Sequence, residues 1–391
     1  MPNETHVAAR TAAAAGAAPA VPLTPGERPL AACYDVALLD LDGVVYSGRN
    51  AIDGAVDALA AARDAGLRLA FVTNNASRSA SAIAEHLTKL GVPITSADVV
   101  TSAQAAATLI ASRFPPGSPV LVAGSNALRL AIRERGLRPV SLAVDHPVAV
   151  VQGFAPDMNY ALLAEAGVAV RDGAFYVATN SDSTLPTPRG PQPGNGSLLQ
   201  VIITATGRRP VVAGKPETPL HAEAVARTGA RNPLVVGDRL DTDIEGAVRG
   251  GADSMLVLTG VTTARDAVLA PPGQRPTYIS ADLGGLLQRQ PAIGHGGPAD
   301  AVHRASTGRS GADADGAKSV AHLPGPDGAA PGAFRCDGWL AQWPRGSGPL
   351  ELTGKGAWID GLRVLCAAAW AAEHVTDEMV APALAALADH N

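Results

Sequence analysis

Between Tyr34 and about Gln290 the chain repeats one unit: a short, continuous apolar run, one or two polar residues, then an amphipathic stretch. The runs are "VALLDLD", "LRLAFVTNN", "PVLVAGS", "VAVVQGF", "AFYVATN", "PVVAGK", "PLVVGD" and "SMLVLTG". A strand whose consecutive residues are all apolar must be covered on both faces, and the intervening helical stretches supply that cover. The pattern therefore predicts an α/β chain built on parallel sheets. One of its helices is expected to start at Asp53 as N-cap, run through Val56, Leu59 and Ala60, and stop at Gly66.

At 391 residues the chain has room for two to three modest domains. It is 47% hydrophobic and 17% charged, with a formal net charge of −5. That profile is globular and soluble, and it holds no basic patch to recommend nucleic acid. Cys33, Cys336 and Cys366 lie far apart with no paired metal spacing, which fits a reducing compartment better than a disulfide framework. The alanine- and proline-containing start lacks the basic region and leucine-type core of a secretory signal. No apolar run is long enough to span a membrane. Residues 1–32 are thus expected to be a disordered leader on a cytoplasmic protein.

Residues 291–333 break the strand–helix rhythm and are rich in Gly, Ala, Pro, Asp and Ser, as a flexible linker would be. The tail 334–391 carries all four tryptophans, Trp339, Trp343, Trp358 and Trp370. Two strand-like and two helical pieces there suggest a small α+β module, with its aromatic residues read as core. A module that short is marginal alone and should pack on the main body or on a partner.

In an open parallel sheet the carboxyl ends of the strands converge on one crevice. Four strand endings bring chemistry to it: Asp40 and Asp42; Thr73, Asn74 and Asn75; Lys215; and Asp238, Asp241 and Asp243. Asp40, Asp42 and Asp238 are hard oxygen ligands that suit Mg²⁺ better than zinc. Lys215, Thr73 and the amides around Asn74 and Asn75 add a cation and donors, so the set describes a pocket for a phosphoryl group. With one carboxylate free to attack phosphorus, the reaction would pass through an aspartyl-phosphate. A calcium loop is excluded because Val44 and Ala51 stand at its fifth and twelfth positions, where oxygen ligands are needed.

The ordered motifs "DLDGVVY", "FVTNNASRS", "GKP", "VGDRLDTDIEGA" and "LVLTGV" resemble those of the haloacid dehalogenase-like hydrolases. More narrowly, they resemble the capped branch of phosphoglycolate, 4-nitrophenyl phosphate and glycerol 3-phosphate phosphatases. The resemblance covers roughly Tyr34 to Ile279. It implies a Rossmann-like parallel core, discontinuous over 33–117 and 210–290, with an α/β cap inserted at 118–209. It also implies roles: Asp40 as nucleophile, Asp42 as general acid and base, and Thr73 and Asn74 holding phosphoryl oxygens. Lys215 would neutralise charge on nucleophile and phosphate. Asp40, Asp238 and the backbone carbonyl of Asp42 would ligate Mg²⁺, with Asp243 supporting them from behind. Asp241 is read as only capping the following helix. In the cap, Asn180, Asp182 and Leu185, with the segment around Asp157, are expected near the leaving group.

The absence of a histidine near Leu185 favours small aliphatic phosphates such as glycerol 3-phosphate or phosphoglycolate over pyridoxal phosphate. The expected partner is a small phosphorylated metabolite, with no nucleic acid and no membrane, and the resemblance implies a homodimer through the cap. Two other functions use the same residue types: a receiver-like phosphoacceptor and a phosphotransferase of the mutase kind. Asp42 argues against the first, because an acid/base beside the nucleophile shortens the life of a phosphoaspartate.

Overall fold

The computed structural model describes residues 23–187, 189–296, 332–344 and 348–390. Its central sheet has six parallel strands in the order Tyr278–Ser280, Asp253–Val257, Pro233–Gly237, Val36–Leu39, Arg68–Thr73, Val99–Thr101. The "VALL" strand lies in the middle and all four of its residues are buried. Ala37 and Leu39 point into one apolar cluster with Leu59 and Phe71, while Val36 and Leu38 join another with Val72, Leu220 and Ala224. This two-sided burial is what the unbroken apolar runs demanded.

A second parallel sheet, ordered Val211–Val212, Phe175–Ala178, Ala149–Gln152, Pro119–Ala123, Arg138–Val140, is inserted between Thr101 and Lys215. Its last strand extends past the Arg209 boundary expected from the sequence. The alanine-rich helix Ser102–Ala111 lies at the seam. Its Ala103, Ala106 and Ile110 share one apolar cluster with Val36 and Val72 below and with Val120, Leu128, Ile132 and Val177 above. Small side chains let the two layers approach closely there.

Several expectations are corrected. Residues 23–32 of the expected leader are folded onto the body: Leu30 and Ala31 are buried, and Gly26 N donates to Gln290 O at 3.0 Å. The N-terminal part of that leader lies outside the described residues. The first long helix spans Ala55–Asp64, and its N-cap is Gly54 (φ +74°), not Asp53, which stays exposed. Left-handed backbone at Gly54 delays the helix, a conformation glycine adopts without strain. Gly66 (φ +94°) follows the C-terminus as expected.

The tail is a four-stranded antiparallel sheet, Gly294–Gly296, Ala333–Cys336, Trp339–Gln342 and Glu351–Gly354, with the helices Trp358–Ala371 and Asp377–Ala388. Both ends of the expected linker are thus strands, and its middle lies outside the described residues. The tryptophans are structural: Trp339, Trp343 and Trp370 donate their indole N–H groups to Ala357 O, Ala368 O and Ala267 O at 3.0, 3.0 and 3.1 Å. Leu240, Leu256, Ala267 and Ile279 of the body form one cluster with Trp339, Leu362, Leu365 and Trp370 of the tail.

Arg363, 5% exposed, ties the two together. Its Nε and Nη2 donate to Ile279 O at 2.9 and 2.6 Å, and its Nη1 pairs with Asp360 Oδ1 at 2.6 Å. Removing the guanidinium would strand a buried carboxylate and a buried carbonyl. Arg363→Ala is therefore expected to cost about 3–5 kcal/mol in denaturant unfolding, and a loss of only a few tenths would contradict this account of the seam.

Candidate active site

The site begins where three neighbouring strands stop. Val36–Leu39 lies between Arg68–Thr73 and Pro233–Gly237, so Asp40, Thr73 and Asp238 emerge side by side at one end of the sheet. Asp40 N still donates to Val236 O at 2.8 Å, which holds the aspartate in line with its strand. After Leu41 the chain turns at once: Gly43 N donates to Tyr46 O at 2.8 Å and Val45 N to Leu41 O at 2.9 Å. Gly43 sits at φ +85°, where a Cβ would lie 2.5 Å from Asp238 Oδ2. At Gly260 a Cβ would lie 2.0 Å from the same oxygen, and at Gly237 it would lie 2.2 Å from Asp243 Cβ. Glycine at these points is the condition for packing the acids so tightly.

Lys215 is 4% exposed. Its Nζ lies 2.5 Å from Asp40 Oδ1, 2.6 Å from Asp243 Oδ1 and 3.3 Å from Val72 O. Asp243 reaches the site from a π-helical turn, Leu240–Ile244, and its Oδ2 accepts from Arg239 N at 3.2 Å. Carboxylate oxygens of Asp40, Asp238 and Asp243 all lie within 4.8 Å of one another. Asp238 Oδ2 accepts from Val261 N at 2.7 Å, whereas its Oδ1 is buried without a partner. The Asp42 carboxylate stands outside this group and takes only a long bond, 3.4 Å, from the Tyr46 hydroxyl.

Three carboxylates around one ammonium leave negative charge uncompensated. Burial pushes the Asp40 carboxyl up to about 8, with Lys215 pulling against the rise and Asp243 and Asp238 adding to it. Burial, then Asp243, pushes Asp238 up to about 6. Burial also raises Asp42. For Lys215, burial opposes the charge, but Asp243 and Asp40 outweigh it and hold the ammonium above its usual range. His221 packs behind the lysine, and burial together with Lys215 drives its imidazole down to about 4, so it is neutral. A hard divalent cation fits the donor set: oxygen ligands in excess of positive charge, and one buried oxygen with no other partner.

The remaining sequence candidates divide. Thr73 is buried beside Asp40, and its Oγ1 accepts from Asn75 N at 3.1 Å. Asn74 and Asn75, expected to bind phosphoryl oxygens, turn their side chains to the protein itself. Asn75 Oδ1 accepts from Ser77 N and Oγ, both at 2.8 Å. Asn74 Oδ1 accepts from Lys215 N at 2.7 Å, and its Nδ2 donates to Lys215 O at 3.1 Å. Asn180 is buried between loops, its Nδ2 donating to Asn74 O at 2.8 Å. Asp182 faces the crevice; burial raises its carboxyl while Arg239 pulls the other way. Leu185 is half-buried in the short hairpin Thr184–Leu185 with Gln192–Pro193.

Asp241 is exposed and paired with Arg239 at 2.8 and 3.0 Å, apart from the cluster. Asp157 is exposed in a turn. Sequence reasoning missed Tyr46, Arg239 and the Val261 amide. Tyr46 and Arg239 stand inside the quoted motifs and could have been flagged. The Val261 amide carries no side-chain signal. A cavity of about 600 Å³ lined by Arg113, Phe114, Phe175, Arg208 and Arg209 opens beside the amino ends of the second sheet and holds none of these acids.

The raised acids fix the sign of a pH effect. A carboxyl whose folded value lies above its unfolded value of about 4 supports the fold while protonated. The metal-free protein should therefore lose stability as pH rises from about 4 towards the folded values of about 6 and about 8. Thermal unfolding with and without Mg²⁺ checks this: the stabilisation by the ion should be larger at pH 8 than at pH 5. An equal gain at both would contradict the arrangement.

Family models described as haloacid dehalogenase-like hydrolase and HAD-hydrolase-like match residues 37–138 and 212–286. The D-glycerol 3-phosphate phosphatase of Mycobacterium tuberculosis is 54% identical over 255 residues, 65% of this chain and 71% of that protein. A 5'-nucleotidase of Bacillus subtilis is 38% identical over 59% of this chain and 89% of its own length. The solved structure of a glycerol phosphate phosphatase from Mycobacterium tuberculosis in complex with magnesium superposes with a TM-score of 0.75 at 42% identity, covering 92% of this chain and 99% of that one. A 4-nitrophenylphosphatase from Thermotoga maritima gives 0.62 at 31%, covering 66% and 98%. The chain belongs to the haloacid dehalogenase-like hydrolases.

Proposed function

We propose that the protein is a Mg²⁺-dependent phosphomonoester hydrolase that works through a phosphorylated Asp40, with glycerol 3-phosphate as its favoured substrate. The observation that carries the reading is the Lys215 ammonium shared between Asp40 and Asp243 beside the unpartnered Asp238 oxygen. Lys215 holds Asp40 Oδ1, which leaves Oδ2 to attack phosphorus. As the P–O bond to the leaving group breaks, Asp42 gives its proton to the departing alkoxide; the upward push of burial suits it to that task. Asp42, now a base, takes a proton from water. The resulting hydroxide attacks the phosphorus of the acyl phosphate, restores Asp40 and releases phosphate. A divalent cation held by Asp40, Asp238 and the Asp42 carbonyl supplies charge neutralisation on the phosphoryl oxygens. Thr73 Oγ1 offers a hydrogen bond to one of those oxygens. The second sheet acts as the cap that excludes water and reads the leaving group.

The substrate preference rests on the name and identity of the Mycobacterium tuberculosis relative, together with the missing histidine near Leu185. A cytoplasmic setting agrees with three free cysteines and with the finding that no described helix is long and apolar enough to cross a membrane. Pairing through the cap agrees with its open edge strand Arg138–Val140, next to the exposed Leu142 and Val144.

Phosphate release with Mg²⁺ over glycerol 3-phosphate, phosphoglycolate, pyridoxal phosphate, nucleotides, sugar phosphates and 4-nitrophenyl phosphate, ranked by kcat/KM, tests the reading. Glycerol 3-phosphate should rank first. Asp40→Asn should abolish turnover with the fold intact. Asp42→Asn should slow alkyl phosphates by about 10²–10⁴-fold and 4-nitrophenyl phosphate less, because nitrophenolate leaves without a proton. Equal losses on both would remove the acid role from Asp42.

A further inference from the structure

We propose that Asn74 is a positioning residue that couples the cap loop Thr179–Thr184 to Lys215, so that occupation of the loop is felt at the nucleophile. The inference rests on the phosphatase reading above. The carboxamide of Asn74 takes both backbone groups of Lys215, N to Oδ1 at 2.7 Å and Nδ2 to O at 3.1 Å. Such a two-point grip fixes the peptide from which the lysine reaches Asp40. The same Nδ2 meets Asp182 Oδ2 at 3.4 Å, and Asn74 O accepts Asn180 Nδ2 at 2.8 Å. One residue therefore holds the lysine with its side chain and the loop with side chain and backbone together. Its two amide hydrogens are both used, so none remains for a phosphoryl oxygen.

The loop is stiff enough to transmit a displacement. Asn195 Nδ2 donates to Asn180 O at 2.7 Å, Asp182 N to Asn180 Oδ1 at 3.2 Å, and Gly196 N to Asp182 O at 2.8 Å. A Cβ at Gly194 would lie 2.3 Å from Asp182 O, and one at Gly196 would lie 2.2 Å from Ser181 O. On the core side, a Cβ at Gly214 would lie 2.5 Å from both Asn74 Oδ1 and Thr179 O. Gly214 thus lets the core backbone close directly on the Asn74 carboxamide and the Thr179 carbonyl, which leaves little room to absorb a shift. Asp182 is the half-buried acid of the loop: Arg239 pulls against the burial that raises its carboxyl, and the carboxylate can accept from a hydroxyl of the leaving group. A pull on Asp182 passes through Asn74 to Lys215.

The test is a double-mutant cycle between Asn74 and Asp182 in the full-length, Mg²⁺-loaded enzyme, read on glycerol 3-phosphate together with competitive inhibition by inorganic phosphate. Asn74→Ala is expected to lower kcat by about 10²-fold, the scale of a misplaced catalytic group, and to leave the inhibition constant of phosphate within about twofold. Asp182→Asn should cost much less in the Asn74→Ala background than alone. Asn74→Asp keeps the acceptor for Lys215 N and places like charge against Asp182, so it serves if the alanine variant does not fold. There, adding Asp182→Asn should restore kcat by about tenfold.

A phosphate inhibition constant raised tenfold or more in Asn74→Ala with kcat little changed would make Asn74 a phosphate ligand rather than a holder of Lys215. Losses that simply multiply, or no restoration in the Asn74→Asp background, would show that loop and lysine act independently. Either outcome overturns the coupling while the wild type remains an active phosphatase. A wild type without Mg²⁺-dependent phosphate release overturns the phosphatase reading itself.

Discussion

Burying several carboxylates within 4.8 Å of one another is unfavourable unless positive charge is brought to them, and Lys215 offsets only part of it. Much of the surrounding structure follows from that imbalance. The ammonium must touch Asp40 and Asp243 at once, so its backbone is gripped by Asn74 and its Nζ also donates to Val72 O. Asp243 must reach it from the far side of Gly237, which requires glycine there and a widened helical turn. Asp238 keeps one oxygen free by spending the other on the Val261 amide. The residual negative charge is then a binding property: it draws a cation, and through the cation a phosphoryl group.

The same acids were legible in the sequence for a geometric reason. In a parallel sheet every apolar run ends at the same edge, so a polar residue straight after "VALL" or "PLVVG" is placed before any coordinate is known. What could not be read is which polar atoms would satisfy one another. Thr73, Asn74 and Asn75 stand together in one loop and carry similar donors, yet Asn74 points at Lys215 O and Asn75 at Ser77. For Asn74 that choice is set by a partner more than a hundred positions away, while Asn75 closes a local turn with Ser77. Likewise Gly54 took the cap position from Asp53 because the backbone there is left-handed, which no residue count reveals. The tail sheet was half visible, because one of its strands, Gly294–Gly296, falls inside the expected linker 291–333 and has no β-forming side chain to announce it.

The two layers also differ in how they can respond to a ligand. Along the helix Ser102–Ala111 they share a continuous apolar cluster, while over the site they meet through Asn74, Asn180 and Asp182. Apolar contact between small side chains tolerates sliding, whereas a hydrogen-bonded contact has one register. The seam thus supplies cohesion and the loop supplies alignment, so binding energy taken up at the loop can be spent on orientation.

Arg363 carries a further consequence. Tyr278–Ser280 is the outermost strand of the central sheet, and a sheet edge with open carbonyls is a template on which another chain can add a strand. Two guanidinium bonds occupy the Ile279 carbonyl at that edge. The tail therefore acts as a molecular selvedge: it stops the sheet from growing outward.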